Sequence, residues 1–252
     1  MHKIHPTGWR KGIIDPRDKV MRFGSPNLAD LPCKIDLRGH CSAVEDQSTL
    51  GSCTANATVG ALEYLEIKDG VISSSFENYS RLFVYYNTRA AVGEVNEDSG
   101  GTLREAVKSV ADFGTCDEVK WTYDINKFTV KPSDECYADA TNHKISQYHI
   151  LGPFSDLLAC LAEGYPFVFG FSVYSGFEGP VVAQTGVLQM PTQSEYCVGG
   201  HAVCAVGYDM DTKRVIVRNS WGTSWGQGGY FTMPFEYIQN QSLASDFWTI
   251  RR

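Results

Sequence analysis

Apolar residues in the first half of the chain recur with the period of a helix. From Cys53 to Lys68, Ala55, Val59 and Leu62, joined by Ala61, Leu65 and Ile67, lie on one broad face, and Gly70 is a natural stop. A second helical segment is predicted from about Tyr79 to Ala91, with Asn78 or Ser80 near its start. A third is bounded at both ends. Thr102 and Glu105 form a T-x-x-E capping box, Leu103, Ala106, Val107, Val110 and Phe113 follow at helical spacing, and Gly114 ends the run. Past about residue 145 the pattern changes. Phe167–Val173, His201–Tyr208, Arg214–Arg218 and Gly229–Thr232 are short runs rich in β-branched and aromatic residues, and Asp209–Lys213 reads as a hairpin turn. Helices first and strands second predict an α+β protein of two segregated lobes, about 45–143 and 144–250, with a cleft between them. Residues 1–30 carry Pro6, Pro16 and Pro26 and no sustained period. They read as an extension with little structure of its own, lying on the surface of a 31–252 body.

Composition narrows the function classes. The chain has 252 residues, 43% apolar and 20% charged, which is ordinary for a globular protein. A net charge of -7 without a basic run argues against nucleic acid as a partner. No apolar stretch approaches the roughly 18 to 20 residues that span a bilayer. The start, MHKIHPTGWRKG, lacks the apolar core of a secretory signal. Eight cysteines include no CxxC and no pair at zinc-finger spacing to histidines, so neither a metal nor another cofactor is expected. If one cysteine is a nucleophile, seven remain and at least one is unpaired within the chain. Cys33–Cys41 and Cys116–Cys136 are open as bridges, and Cys204 reads as a core thiol.

Three segments carry the chemistry. Gln47-Ser48-Thr49-Leu50-Gly51-Ser52-Cys53 puts a cysteine on a tight turn at the first turn of a helix. Unpaired N–H groups and the positive end of the helix dipole favour a thiolate there and lower the cysteine pKa. A lone cysteine on a helix is more often a small core residue. Gly199-Gly200-His201 opens an apolar strand behind two glycines that let another chain approach closely. Asn219 follows a strand beside Trp221 and Trp225 in the glycine-rich loop NSWGTSWGQGGY. His201 follows Cys53 by 148 positions, and Asn219 follows His201 by 18.

Together these segments resemble the papain/cathepsin cysteine peptidases, over roughly residues 34–250. GSC with a glutamine six residues before the cysteine, HAVxAVGY and NSWGxxWGxxGY occur in that family's order. The resemblance implies a helical lobe carrying Cys53 and a β-barrel-like lobe carrying His201 and Asn219. It implies Cys53 as nucleophile, His201 as base and acid, Asn219 as the group that orients the imidazole under the cover of Trp221, and Gln47 with the Cys53 N–H as oxyanion donors. Gly100 and Gly101 are expected to hold an extended peptide by backbone hydrogen bonds. Thr102, Leu103, Gly170 and Gly199, flanked by Gly200, Trp221 and Trp225, are expected to border the substrate, with a roomy apolar pocket for Leu, Phe or Tyr two residues before the cut. Leu50, Thr54 and Gly200 replace residues common at those positions and suggest a divergent, bacterial-type branch. The resemblance further implies protein or peptide substrates, protein inhibitors, a monomer, and a secreted or lysosome-like compartment. Residues 1–30, anchored by Trp9, are expected to pack near or across the cleft as a short pro-segment. The rival readings are acyl transfer on the same residues and a non-catalytic binding protein on the same fold. A metal hydrolase lacks its HExxH motif.

Overall fold

The computed structural model describes residues 7–13, 15–24, 26–73, 76 and 78–252. Residues 1–6, Pro6 among them, lie outside the described residues. In chain order the described elements are β1 (Val20–Met21), β2 (Lys34–Asp36), α1 (Cys53–Lys68), α2 (Arg81–Ala90), α3 (Leu103–Asp112), α4 (Asp134–Ala140), β3 (Gln147–Leu151), α5 (Phe154–Ala162), β4 (Phe167–Tyr174), α6 (Pro180–Thr185), β5 (Cys197–Asp209), β6 (Arg214–Arg218), β7 (Tyr230–Pro234), α7 (Phe235–Gln239) and β8 (Ala244–Arg251).

Helix ends follow local chemistry. Ser80 accepts a hydrogen bond from the Phe83 N–H and starts α2, and Thr102 accepts from the Glu105 N–H and starts α3. Helix α1 is buried from Cys53 to Glu66, because it packs against α2 and α3 on one side and β5 on the other. A helix enclosed on both sides carries apolar or small residues all round.

The sheet runs β1-β3-β8-β4-β5-β6-β7, with β2 paired to β5. In β4, Phe167, Phe169, Phe171 and Val173 face one core while Val168 faces the other. In β5, Val203 and Ala205 oppose Ala202, Cys204 and Val206 in the same way. Period-two side chains thus serve two cores, and both faces of these strands are apolar. One core gathers α1, α2 and α3; the other lies among the sheet, α5, α6 and α7. The layout is helices plus one large sheet, an α+β molecule of two lobes.

The lobes are tied by buried charge. Arg81 pairs with Glu63 at 2.6 Å, and Ser42 Oγ donates to Glu63 at 2.5 Å. Arg218, at the end of β6, donates to the Ser42 and Ala43 carbonyls at 2.6 Å each. Losing one partner of such a pair costs about 3–5 kcal/mol, because a charge is left buried alone.

The second half differs from expectation in its helices: α5, α6 and α7 interleave with the strands. The first thirty residues do carry structure, since β1 pairs in parallel with β3 (Val20↔Ile150, Met21↔Leu151). All eight cysteines are free thiols, so neither Cys33–Cys41 nor Cys116–Cys136 is bridged.

Candidate active site

Cys53 is the first residue of α1, fully buried where α1 meets β5. His201 lies on β5 opposite Phe171 of β4. Strands β5 and β6 pair with Cys204 opposite Arg218, and that register carried forward sets Trp221 across from His201. The two rings stack with centroids 4.9 Å apart and planes 28° apart. Phe171 and Phe177 close the other sides of the imidazole.

The far ring nitrogen is accounted for. His201 Nε2 lies 2.7 Å from Asn219 Oδ1, and both side chains are buried. That oxygen also accepts from the Ser220 N–H at 2.9 Å, so an acceptor, not the amide NH2, must stand there. Nε2 therefore carries the proton it donates, which leaves Nδ1 as the ring nitrogen for chemistry. Burial beneath Trp221 keeps this bond in a low-dielectric setting, where it is stronger.

Gln47 is clamped from the β lobe. Its N–H donates to Ser220 O at 2.9 Å and its Oε1 accepts from Ser220 Oγ at 2.6 Å. Asp46 forms a bridge with Trp221, and Gly222 N–H donates to Glu45 O. The loop before Cys53 is thus stitched to the loop that carries Asn219. From the helical lobe, Asp98 accepts the Gly51 N–H at 3.0 Å.

The cleft is not empty. Residues 7–12 run through it. Gly101 donates to Gly8 O at 2.9 Å, Arg10 donates to Gly101 O at 2.9 Å, and Trp9 donates to Gly200 O at 3.1 Å. The Trp9 ring lies on Gly170: a Cβ there would stand 1.9 Å from it. A Cβ on Gly200 would also meet this ring, one on Gly100 would meet Gly8 O, and one on Gly199 would meet Thr7. Five glycines singled out in the sequence therefore line one peptide-shaped groove. Thr102 caps α3, and Leu103 is packed in the helical core. Trp225 packs on Trp221, Phe177 and Phe231 beneath the loop.

Two features differ from expectation. The thiol was expected to be acidic, yet in this closed arrangement burial pushes Cys53 up to about 11, against the pull of the backbone N–H groups of Ala202, Gly8, Thr54 and Cys53 itself. The pocket over Gly170 is not wholly apolar either. Asp246 Oδ2 accepts from the Trp9 indole N–H at 3.2 Å and from the Gly12 N–H at 2.8 Å. Asp246 sits in a left-handed conformation (φ 58°) where β8 slips register against β4. A single aspartate between polar and aromatic residues gives no sequence signal for that placement.

Among the described residues no His, Cys, Asp or Glu cluster could hold a metal ion, and no helix is long and apolar enough to cross a membrane. A family model described as papain family cysteine protease matches residues 31–247. The chain is 43% identical to the uncharacterized peptidase C1-like protein L477 of Acanthamoeba polyphaga mimivirus, over 97% of this chain and 86% of that protein. It is 30% identical to a cathepsin L-like proteinase of Fasciola hepatica over 85% of this chain, but spans only 64% of that protein. Among solved structures, xylellain, a cysteine protease from Xylella fastidiosa, superposes with a TM-score of 0.88 at 42% identity, covering 97% of this chain and 95% of that one. Digestive procathepsin L 3 of Tenebrio molitor larval midgut, at 21% identity and a TM-score of 0.73, shares the fold over 94% of this chain and 75% of that one.

Proposed function

Because the chain belongs to the papain family of cysteine proteases, we propose that it is an endopeptidase that cuts peptide bonds through an acyl-enzyme on Cys53, and that residues 7–12 hold it latent. The observation that carries this reading is the groove itself. It already accepts an extended peptide backbone through Gly101 and Gly200, directly over the cysteine.

The proposed roles are as follows. His201 Nδ1 takes the Cys53 proton, and the thiolate attacks the substrate carbonyl carbon. The oxygen of that carbonyl becomes an oxyanion. The Cys53 backbone N–H at the start of α1 and one N–H of the Gln47 side-chain amide receive it; the other amide hydrogen goes to Leu50 O at 2.9 Å. The imidazolium returns its proton to the leaving amine, then draws a proton from the water that hydrolyses the acyl-enzyme. Asn219 keeps the imidazole facing the thiol throughout.

Residues 7–12 block this sequence without being cut. The thiol faces the N–H of Gly8, and the Gly8 carbonyl is turned to Gly101. An N–H offers no electrophilic carbon. The pocket filled by Trp9 receives the side chain near the cut, and we assign it aromatic or long side chains, with Asp246 at its far end.

The test is hydrolysis of fluorogenic peptides by the full chain. Trp9→Ala removes the ring that anchors the segment and is expected to raise turnover at least 10-fold. Cys53→Ala in the same background is expected to abolish it. In the unmodified chain, a thiol near pKa 11 is roughly 100-fold less ionised than an ordinary one, so Cys53 should alkylate slowly at pH 7.5 and quickly in Trp9→Ala. Turnover that survives Cys53→Ala would sink the nucleophile assignment. Unchanged turnover in Trp9→Ala would sink the latency.

A further inference from the structure

Tyr123 comes from a loop of the helical lobe, seventy positions from Cys53, and has no part in the scheme above. Its hydroxyl lies between two groups of the oxyanion loop: 2.5 Å from Ser52 Oγ and 2.9 Å from Gln47 O. Donors and acceptors in this cluster run one way. Asn56 Nδ2 donates to Ser52 Oγ at 3.0 Å, Ser52 O–H donates to Tyr123, and Tyr123 O–H donates to the Gln47 carbonyl. Each hydroxyl gives one hydrogen and accepts one, so the bonds polarise one another. Burial lifts the Tyr123 phenol above its ordinary range, which keeps it a donor at any working pH.

We propose that Tyr123 is a positioning residue for the oxyanion side of the site. The proposal rests on the oxyanion role given above to Gln47 and the Cys53 N–H. Both donors sit on groups that Tyr123 holds. The Cys53 N–H lies in the plane of the Ser52–Cys53 peptide, so whatever fixes Ser52 aims that N–H. Ser52 is fully buried, and its side chain makes no cap to its own helix because it is turned to Tyr123 and Asn56. Gln47 carries the second donor. Ser220 clamps its side-chain oxygen and its N–H from the β lobe, while Tyr123 holds its carbonyl from the helical lobe. Tyr123 therefore sets the spacing between two donors that must converge on one oxygen.

The base under Tyr123 is itself anchored. Its N–H donates to Glu118 Oε1 at 2.5 Å, and the carbonyl of Trp121 accepts from Ser80 Oγ at 2.5 Å at the start of α2. The ring thus stands on α2 while its hydroxyl reaches the turn before α1. Two donors misplaced by a fraction of an ångström weaken a reaction that depends on their convergence, yet leave the thiol unchanged.

That distinction supplies the test. In the full chain carrying Trp9→Ala, Tyr123→Phe is measured for kcat and KM on a fluorogenic peptide and for alkylation of Cys53 by iodoacetamide. Alkylation needs the thiolate and forms no oxyanion. The expected result is kcat down about 10-fold or more, with KM and the alkylation rate each within about 2-fold. Ser52→Ala removes the other end of the same bond and should reproduce this split, with the double variant no worse than the stronger single one. If kcat is unchanged, or if kcat and alkylation fall together, the proposal is overturned. Gln47→Ala separates this from the premise: if it leaves kcat intact, the oxyanion reading fails first. If Gln47→Ala lowers kcat and Tyr123→Phe does not, only the Tyr123 assignment fails.

Discussion

Asp246 shows how one residue can set the character of a pocket. A left-handed backbone costs a non-glycine residue about 1 kcal/mol, and aspartate tolerates it better than most. The slip between β4 and β8 imposes that conformation, and a slip of this kind re-aims a side chain. Here it turns the carboxylate to the indole N–H over Gly170. Once the segment leaves, the pocket ends in an acceptor. It is then expected to favour a long side chain with a donor at its tip, such as Trp or Arg, over Leu or Phe. Asp246→Ala in the Trp9→Ala background should shift cleavage of a positional peptide library toward Leu and Phe by about 10-fold relative to Arg, roughly one charge-assisted hydrogen bond. An unchanged library profile would remove Asp246 from the pocket.

Among the described residues of 7–24, the pairing at Gly101 and Gly200 is joined by the Asp246 bonds to Trp9 and Gly12, by the Arg10–Glu94 ion pair, by β1 and by one side chain of α3. Arg104 donates to Asp18 at 2.9 Å and to Asp15 at 2.7 Å, and its head is largely covered. Asp15 is held well below the usual carboxylate range, first by the Arg17 side chain and only lastly by Arg104. Arg104 is thus the one side chain of α3 that reaches two carboxylates of the strap. Arg104→Ala is expected to loosen the strap, since it removes the bonds to Asp15 and Asp18 together. Trypsin should then cut at Arg17 or Lys19 several times faster, with the 31–252 body intact by mass spectrometry. Equal cutting would mean that the strap is held without the Arg104 contacts. These elements also mark where sequence reading stopped. Helices α2 and α3 were legible because period and start signals agree: Ser80, one of two starts read for α2, and Thr102 are their N-caps, while α1 was legible as a helix although its burial all round hides any single face. Strand β1 was not, because two residues carry no period. Strand β8 was obscured by its register slip, and α5 is a nine-residue apolar run of a length that reads equally as a strand. Strand β5 starts at Cys197, four residues before the expected run, because Gly199 and Gly200 lower strand propensity while leaving room for Thr7 and Trp9.

At the scale of the whole molecule, the site exists because two lobes meet at a fixed distance. Cys53, His201, Asn219 and Gln47 could be proposed from sequence because each lies in a local motif whose neighbours are part of its chemistry. The covered state of Cys53, the Asp246 acceptor and the Tyr123 contact were not, because each joins segments far apart in sequence. The same holds for the charges at the lobe junction. Glu63 and Arg81 are paired there and Arg218 is bonded to Ser42, but among the described residues Glu118 nearby has no ion-pair partner. Its Oε1 accepts only the Tyr123 N–H, and its Oε2 is buried without a partner. Burial pushes this carboxyl up to about 7; the Tyr123 N–H and Arg81 pull it down, while Glu45 and Glu63 push it further up. The sign follows from proton uptake. Between about pH 4.5 and 7 the unfolded chain has released this proton and the folded chain keeps it. The contribution is whole below the unfolded value and is lost as pH rises through about 7. A shift of this size, reduced for partial exposure, amounts to roughly 2 kcal/mol. Glu118→Gln keeps an acceptor for Tyr123 and removes the charge. Urea unfolding between pH 5 and 8 should show the unmodified chain losing roughly 2 kcal/mol more than Glu118→Gln across that window. Parallel profiles for the two proteins would mean that Glu118 is ionised in the folded state, and that the lobe junction carries its charge without cost.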